Sequence, residues 1–130
     1  MNVVGHGIDI VEIQRIETLL EQPEEHFLTR CFTVRERDVV EGGPMRAQYF
    51  AGRFAAKEAV LKALGTGWSQ GIAWTDVEIE RLPSGKPFVV LHARCKDVAM
   101  ELGVEAWMLS ISHTESYAIA SVIALGSIAQ

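Results

Sequence analysis

Three ionisable residues are candidates for chemistry: Asp9, Glu58 and His113. Lys62 follows Glu58 by four residues, and Gly65-Thr66-Gly67 comes just after it. Arg46, Arg53 and Lys57 form a basic stripe along the same segment. Two carboxylates with lysine and arginine nearby suit a magnesium ion bound together with a diphosphate. Magnesium takes one or two protein carboxylates and completes its shell with phosphate oxygens and waters. The cations would then neutralise phosphate charge in the transition state. The same residues also have a plainer reading. Glu58 and Lys62 would be a surface pair contributing ~0.3 kcal/mol, and the stripe a solvated face. Spacing alone does not choose between the two.

The elements that must position these residues are legible. Tyr49 to Gly67 reads as one helix with a glycine exit, rich in alanine and other strong helix formers. Pro44 suits a first turn and Gly65 a left-handed cap. At ~100° per residue, Phe50, Phe54 and Leu61 share one narrow arc, the predicted core face. Glu58 lies ~40° from Phe54 on that wheel, at the edge of the apolar face.

Val3 to Val11 reads as a strand, with Gly5, Gly7 and Asp9 on one face and Val4, His6, Ile8 and Ile10 on the other. The glycines either leave space for something to approach the backbone or mark a bulge, with Asp9 as a helix cap. Helical spacing follows at Ile13, Ile16 and Leu20, with Arg15 off that side. Gln22 to Thr29 is polar, irregular or a short helix. Thr33 and Glu36 match a capping box for a helix from about Val34 to Glu41. Beyond the long helix, 66–75 is a loop carrying Trp68, Gly71 and Trp74. Asp76–Arg81 and Phe88–Leu91 are partner strands joined by the turn Pro83-Ser84-Gly85-Lys86. Ala93–Leu102 is a helix capped by Gly103. Trp107–Ile111 and the nearly all-apolar Tyr117–Leu125 form a hairpin, the second strand expected to be buried. Mixed helices and hairpins indicate an α+β class.

At 130 residues the chain suits one domain, 1–130, with a real core. A formal charge of −5 argues against nonspecific nucleic-acid binding. Nothing at the start resembles a signal peptide, and no apolar run is long enough to span a membrane. Cys31 and Cys95 match no metal spacing and read as reduced thiols in a cytoplasmic protein.

Particular motifs add a resemblance. GIDIVEIQRIE at 7–17, RCFT at 30–33, FAGRFAAKEAVLKALGTG at 50–67, DVEI at 76–79, GKP at 85–87 and SISHT at 110–114 occur in this order. The chain resembles the small bacterial type of 4′-phosphopantetheinyl transferase, the holo-acyl-carrier-protein synthases. The resemblance implies an α+β fold, mostly antiparallel sheet packed on a long central helix. It implies transfer of 4′-phosphopantetheine from coenzyme A to a serine of apo acyl carrier protein, in fatty acid biosynthesis. Asp9 and Glu58 would be magnesium ligands, and Lys62 would face the diphosphate; these three form the implied catalytic set. Gly65 and Thr66 would lie against the pantetheine or phosphate region. Arg46, Arg53, Ser84, Pro87, His113 and Thr114 resemble the adenosine and 3′-phosphate contacts. Arg15 and Arg30 match positions that meet the acidic carrier. Met45 stands where some members carry lysine, so either one cation of the phosphate clamp is missing or Lys86 or Lys57 takes its place.

The resemblance also implies a homotrimer with sites between subunits, and helix geometry agrees. Arg53 and Glu58, five residues apart, point ~140° away from each other. Both are assigned to one coenzyme A, so a second copy must supply one of them. Competing readings are another magnesium-dependent enzyme acting on a nucleotide diphosphate, or a non-catalytic coenzyme A-binding module.

Overall fold

The computed structural model describes residues 1–23, 26–39 and 42–127. The element order is β1 (Asn2–Glu12), α1 (Ile13–Leu20), α2 (His26–Cys31), α3 (Val34–Asp38) and α4 (Arg46–Leu64). A short helical turn (Trp74–Asp76) then leads to β2 (Val77–Arg81), β3 (Pro87–Leu91), α5 (Ala93–Glu101), β4 (Val104–His113) and β5 (Tyr117–Gly126). β1, β5 and β4 form an antiparallel sheet in that order, and β2 pairs antiparallel with β3. The α+β class and both hairpins are as the sequence predicts.

The glycines of β1 serve two purposes. The register slips between Val3 and Gly5, a bulge. Between them and α4 there is no room for a side chain: a Cβ on Gly5 would lie 2.0 Å from the Ala63 carbonyl oxygen, and one on Gly7 1.9 Å from that of Ala59. What approaches the strand is the long helix itself. Asp9 caps nothing. The residue before α1 is Glu12, and its side chain makes no capping bond.

α4 begins three residues before the predicted start, at Arg46, and Pro44 precedes it. It ends as expected at Gly65, whose φ of 76° is left-handed. Phe50, Phe54 and Leu61 are buried, but the core face is far wider than one arc. Ala51, Ala55, Ala56, Ala59 and Val60 are buried too, because small residues let the sheet and the α1–α3 side close on opposite flanks of one helix. The capping box of Thr33 and Glu36 is present, but α3 ends at Asp38. Glu41, its predicted end, lies outside the described residues.

β5 corrects another expectation. Ala118, Ala120, Val122 and Ala124 are fully buried against α4, whereas alternate residues face outward. With Ile8 and Ile10 of β1 and Met108 of β4, all more than half exposed, they make an apolar outer face. Leu102, the predicted last residue of the helix, lies just past α5 and is exposed. Among the described residues no helix is long and apolar enough to cross a membrane. Both cysteines are free and buried. Burial pushes their thiols up, to about 11 for Cys31 and about 12 for Cys95.

Candidate active site

α4 crosses β1 closely enough to bring Asp9 and Glu58 to one corner. Lys62 ties the two elements together there. Its ammonium donates to Asp9 Oδ1 and to the Ile8 carbonyl oxygen, each at 3.0 Å. An ammonium has three N–H donors, and Lys62 is half exposed, so the third faces solvent. Glu58 is partly buried, and burial first, then Asp9, pushes its carboxyl above the ordinary value. The Trp68 indole N–H, Lys62 and Arg15 pull it back. A carboxyl raised by burial and by a neighbouring carboxylate is short of positive charge, and a divalent cation would supply it. No third histidine, cysteine or carboxylate joins them into a larger metal-binding group among the described residues. Such a pair fits a magnesium ion that takes its remaining ligands from phosphate and water.

A second cationic site lies on the other side of α4. Arg53 stacks on the Tyr49 ring, 4.2 Å from its centroid, and its buried Nε has no hydrogen-bond partner. Burial lowers its guanidinium from the usual range. Arg53 lines a groove of about 250 Å³ with Met45, Gln48, Tyr49, Gly52, Arg81, Ile111 and His113. The Gln48 amide donates to His113 Nδ1 at 2.6 Å, fixing the ring at the end of β4. Two guanidiniums, an imidazole and no lining carboxylate make this groove suited to an anion. The fold thus brings Arg53 and His113 into one groove, which shares no residue with the Asp9–Glu58–Lys62 corner.

A third surface runs between α1 and α2. Arg15 and Arg30 line one cavity of about 280 Å³ with Leu19, Phe27, Phe54 and Trp74. The Arg15 guanidinium lies over the Phe54 ring at 6.0 Å.

The remaining predicted residues are distributed as follows. Gly65 ends α4, and the Thr66 hydroxyl donates to the Gly67 carbonyl at 2.9 Å. Ser84 Oγ accepts from the Lys86 amide in the β2–β3 turn, and Pro87 opens β3 opposite Arg81. Thr114 accepts from the Tyr117 amide in the β4–β5 turn. Arg46 does not reach the Arg53 groove; it lines a separate cavity with Glu17, Glu21, Gly43 and Pro44.

Lys57 is the clear correction. It is not part of an exposed basic stripe and is no substitute phosphate ligand, because it is fully buried. Its ammonium donates to Glu36 Oε1 at 2.8 Å, to the Trp74 carbonyl at 3.2 Å and to the Val77 carbonyl. Glu36 in turn accepts from the Ile79 amide at 2.9 Å. Sequence reasoning missed Arg81, Gln48 and Trp68 as site residues. Nothing in the spacing of Arg81 or Gln48 signals a shared groove. A large aromatic directly after a glycine-rich helix exit was the available hint for Trp68.

Residues 5–122 match the sequence profile of the 4′-phosphopantetheinyl transferase superfamily. The chain belongs to that superfamily. A superfamily relative named holo-[acyl-carrier-protein] synthase, from Koribacter versatilis, is 45% identical over 121 residues, covering 93% of this chain and 97% of the relative. The crystal structure of the Bacillus anthracis holo-(acyl-carrier-protein) synthase, in complex with CoA (3′,5′-ADP), superposes with a TM-score of 0.79 at 36% identity, covering 96% and 98% of the two chains. The Helicobacter pylori holo-[acyl-carrier-protein] synthase in complex with coenzyme A gives 0.81 at 32% identity, covering 92% and 99%.

Proposed function

We propose that this chain, as one domain, transfers 4′-phosphopantetheine from coenzyme A to a serine hydroxyl of an apo acyl carrier protein. The serine oxygen gives up its proton to water as it forms a bond to the β-phosphorus, and the pyrophosphate bridge breaks to release adenosine 3′,5′-bisphosphate. The reaction would serve fatty acid biosynthesis in the cytoplasm. The observation that carries this reading is the corner where Lys62 bonds Asp9 beside Glu58.

Asp9 and Glu58 would hold magnesium, which when bound supplies positive charge to the diphosphate. Lys62 would turn its remaining donor to the same phosphates, with Gly65 and Thr66 alongside. Arg53 and His113, joined by Arg81, would bind the 3′-phosphate, with Ser84, Pro87 and Thr114 near the adenosine. The groove between α1 and α2 offers two arginines above an aromatic floor, which suits an acidic carrier. Intact mass of an apo carrier incubated with coenzyme A and magnesium tests this: a phosphopantetheine increment is expected, and its absence with several carriers would reject the reading.

The working unit would be a homotrimer. The two cationic sites lie on opposite sides of α4 in one copy, and the apolar outer face of the sheet suits burial against other copies. Arg53 and His113 of one subunit would complete the Asp9–Glu58–Lys62 corner of the next. Mixing inactive Glu58→Ala and Arg53→Ala proteins after dissociation should restore activity, since some reassembled sites carry neither change. Continued inactivity with subunit exchange verified by mass would rule the shared site out.

A further inference from the structure

We infer, on the reading of Arg53 as a ligand of the coenzyme A 3′-phosphate, that Tyr49 is the positioning residue for Arg53. Its ring face holds the guanidinium as a receptor for a phosphate monoester. Tyr49 and Arg53 stand four residues apart on α4, so their side chains meet on one face of the helix. Long side chains on a helix lean back toward its N-terminus, which lays Arg53 over the ring one turn earlier. The guanidinium carbon lies 4.2 Å from the Tyr49 ring centroid.

The ring is itself held at two points. Its hydroxyl donates to the Glu36 carbonyl oxygen at 3.0 Å, and it meets the buried Phe50 ring edge to face, with centroids 5.0 Å apart. Glu36 is a firm anchor, because its carboxylate accepts from Lys57 of α4 and from the Ile79 amide of β2. Stacking matters for what it leaves unused. A guanidinium carries its donors in its own plane, so an aromatic face fixes it without consuming any of them. A carboxylate would fix it too, but would take two N–H groups and offset the charge. None of the ion pairs among the described residues includes Arg53, and its buried Nε has no hydrogen-bond partner. Tyr49 and Arg53 both line the groove shared with Arg81 and His113, so the guanidinium borders that groove with its charge unpaired among the described residues.

The test separates the electrostatics of the ring face from its shape. Tyr49→Phe keeps the negative face, and pentafluorophenylalanine at position 49 keeps a ring of nearly the same size with that face reversed in sign. Calorimetry would measure binding of coenzyme A and of 3′-dephospho-coenzyme A to each protein, with magnesium and without carrier, beside wild type and Arg53→Ala. The ratio of the two affinities reads the 3′-phosphate contact alone. Tyr49→Phe should keep this ratio within about twofold of wild type, and the fluorinated ring should lower it about fivefold below Tyr49→Phe. Arg53→Ala should lower it about tenfold or more. Affinity for 3′-dephospho-coenzyme A should be the same in wild type and both ring replacements. A ratio with the fluorinated ring within about twofold of Tyr49→Phe, with Arg53→Ala clearly lower, overturns this inference alone. That outcome includes equal weakening of both ligands, the mark of a merely structural role. An unchanged ratio in Arg53→Ala overturns the 3′-phosphate reading and this inference with it.

Discussion

Lys57 and Lys62 are the same residue type, five positions apart on one helix, each paired with a carboxylate from another element. Their surroundings make them opposites. Lys57 is fully buried and spends its three donors on Glu36, Trp74 and Val77. Lys62 is half exposed and has two protein acceptors, Asp9 and Ile8. Five residues turn a helix through ~140° beyond a full turn, so one lysine faces β2 and the other β1. A pair whose hydrogen bonds are complete can only hold the fold. A pair with a donor to spare, next to a carboxylate such as Glu58, can still bind a ligand.

The largest effect should come from breaking the complete pair. Lys57→Ala leaves the Glu36 carboxylate buried without its cation, and urea unfolding should show a loss of about 3–5 kcal/mol. Replacing both partners with apolar residues, Lys57→Met with Glu36→Leu, should recover much of it. If Lys57→Ala costs less than ~1 kcal/mol, the pair is no different from a surface one and the contrast collapses.

The opposite signature is expected at the open corner. Asp9→Asn and Glu58→Gln should each lower transfer by about 10²–10³-fold, the scale of losing one transition-state charge contact. Lys62→Met should cost only roughly 0.2–1 kcal/mol of stability, as exposed pairs do. Near-normal turnover in Asp9→Asn and Glu58→Gln at ordinary magnesium would remove the corner from the chemistry.

A smaller effect should sharpen the division further, outside both pairs. Arg15→Glu and Arg30→Glu should raise the KM for carrier about tenfold and flatten its salt dependence, because docking of an acidic partner is steered by local positive charge. The KM for coenzyme A should hold. Equal carrier KM values in wild type and both variants would make these arginines ordinary surface charge.

The smallest effect concerns the support behind Lys57. Burial pushes the Glu78 carboxyl up, but hydrogen bonds from Thr33 and His92 outweigh it and hold the carboxyl below its ordinary value. A depressed native pKa adds stability that is complete above the unfolded glutamate value. That stability is lost as pH falls through the native value. Thermal midpoints should therefore drop on the acid side in wild type and drop less steeply in Glu78→Gln. Parallel acid limbs would show that Glu78 contributes nothing there.

The reach of the sequence follows the same division. Capping at Thr33, the exit at Gly65 and the hairpin of β2 with β3 are local effects, and each was legible residue by residue. The Asp9–Glu58–Lys62 corner was legible through its motifs, since Lys62 lies one turn from Glu58 and Asp9 shares a strand face with Gly5 and Gly7. Lys57 was misread because a helical wheel shows which residues share a side but not what packs over it. Its partner Glu36 lies 21 positions away and also serves as half of a capping box. The Arg81–Arg53–His113 groove was only partly legible for a similar reason: a strand, a helix and a hairpin end meet there through tertiary packing alone.

The pairing of β1 with β5 also bears on the order of events at the ribosome. Asn2 stands opposite Gly126 and Asp9 opposite Ala120. The first strand to emerge therefore waits for the last strand before its ladder can form, and closing so long a loop is a slow, entropically costly step. α4, formed mostly from local contacts, can be made long before. Asp9 is held beside Glu58 from two sides, by Lys62 of α4 and by the ladder to β5, so a nascent chain still lacking residues 117–126 has only the first of these supports. Translation of residues 117–126 would thus complete the sheet on which the Asp9–Glu58 corner rests.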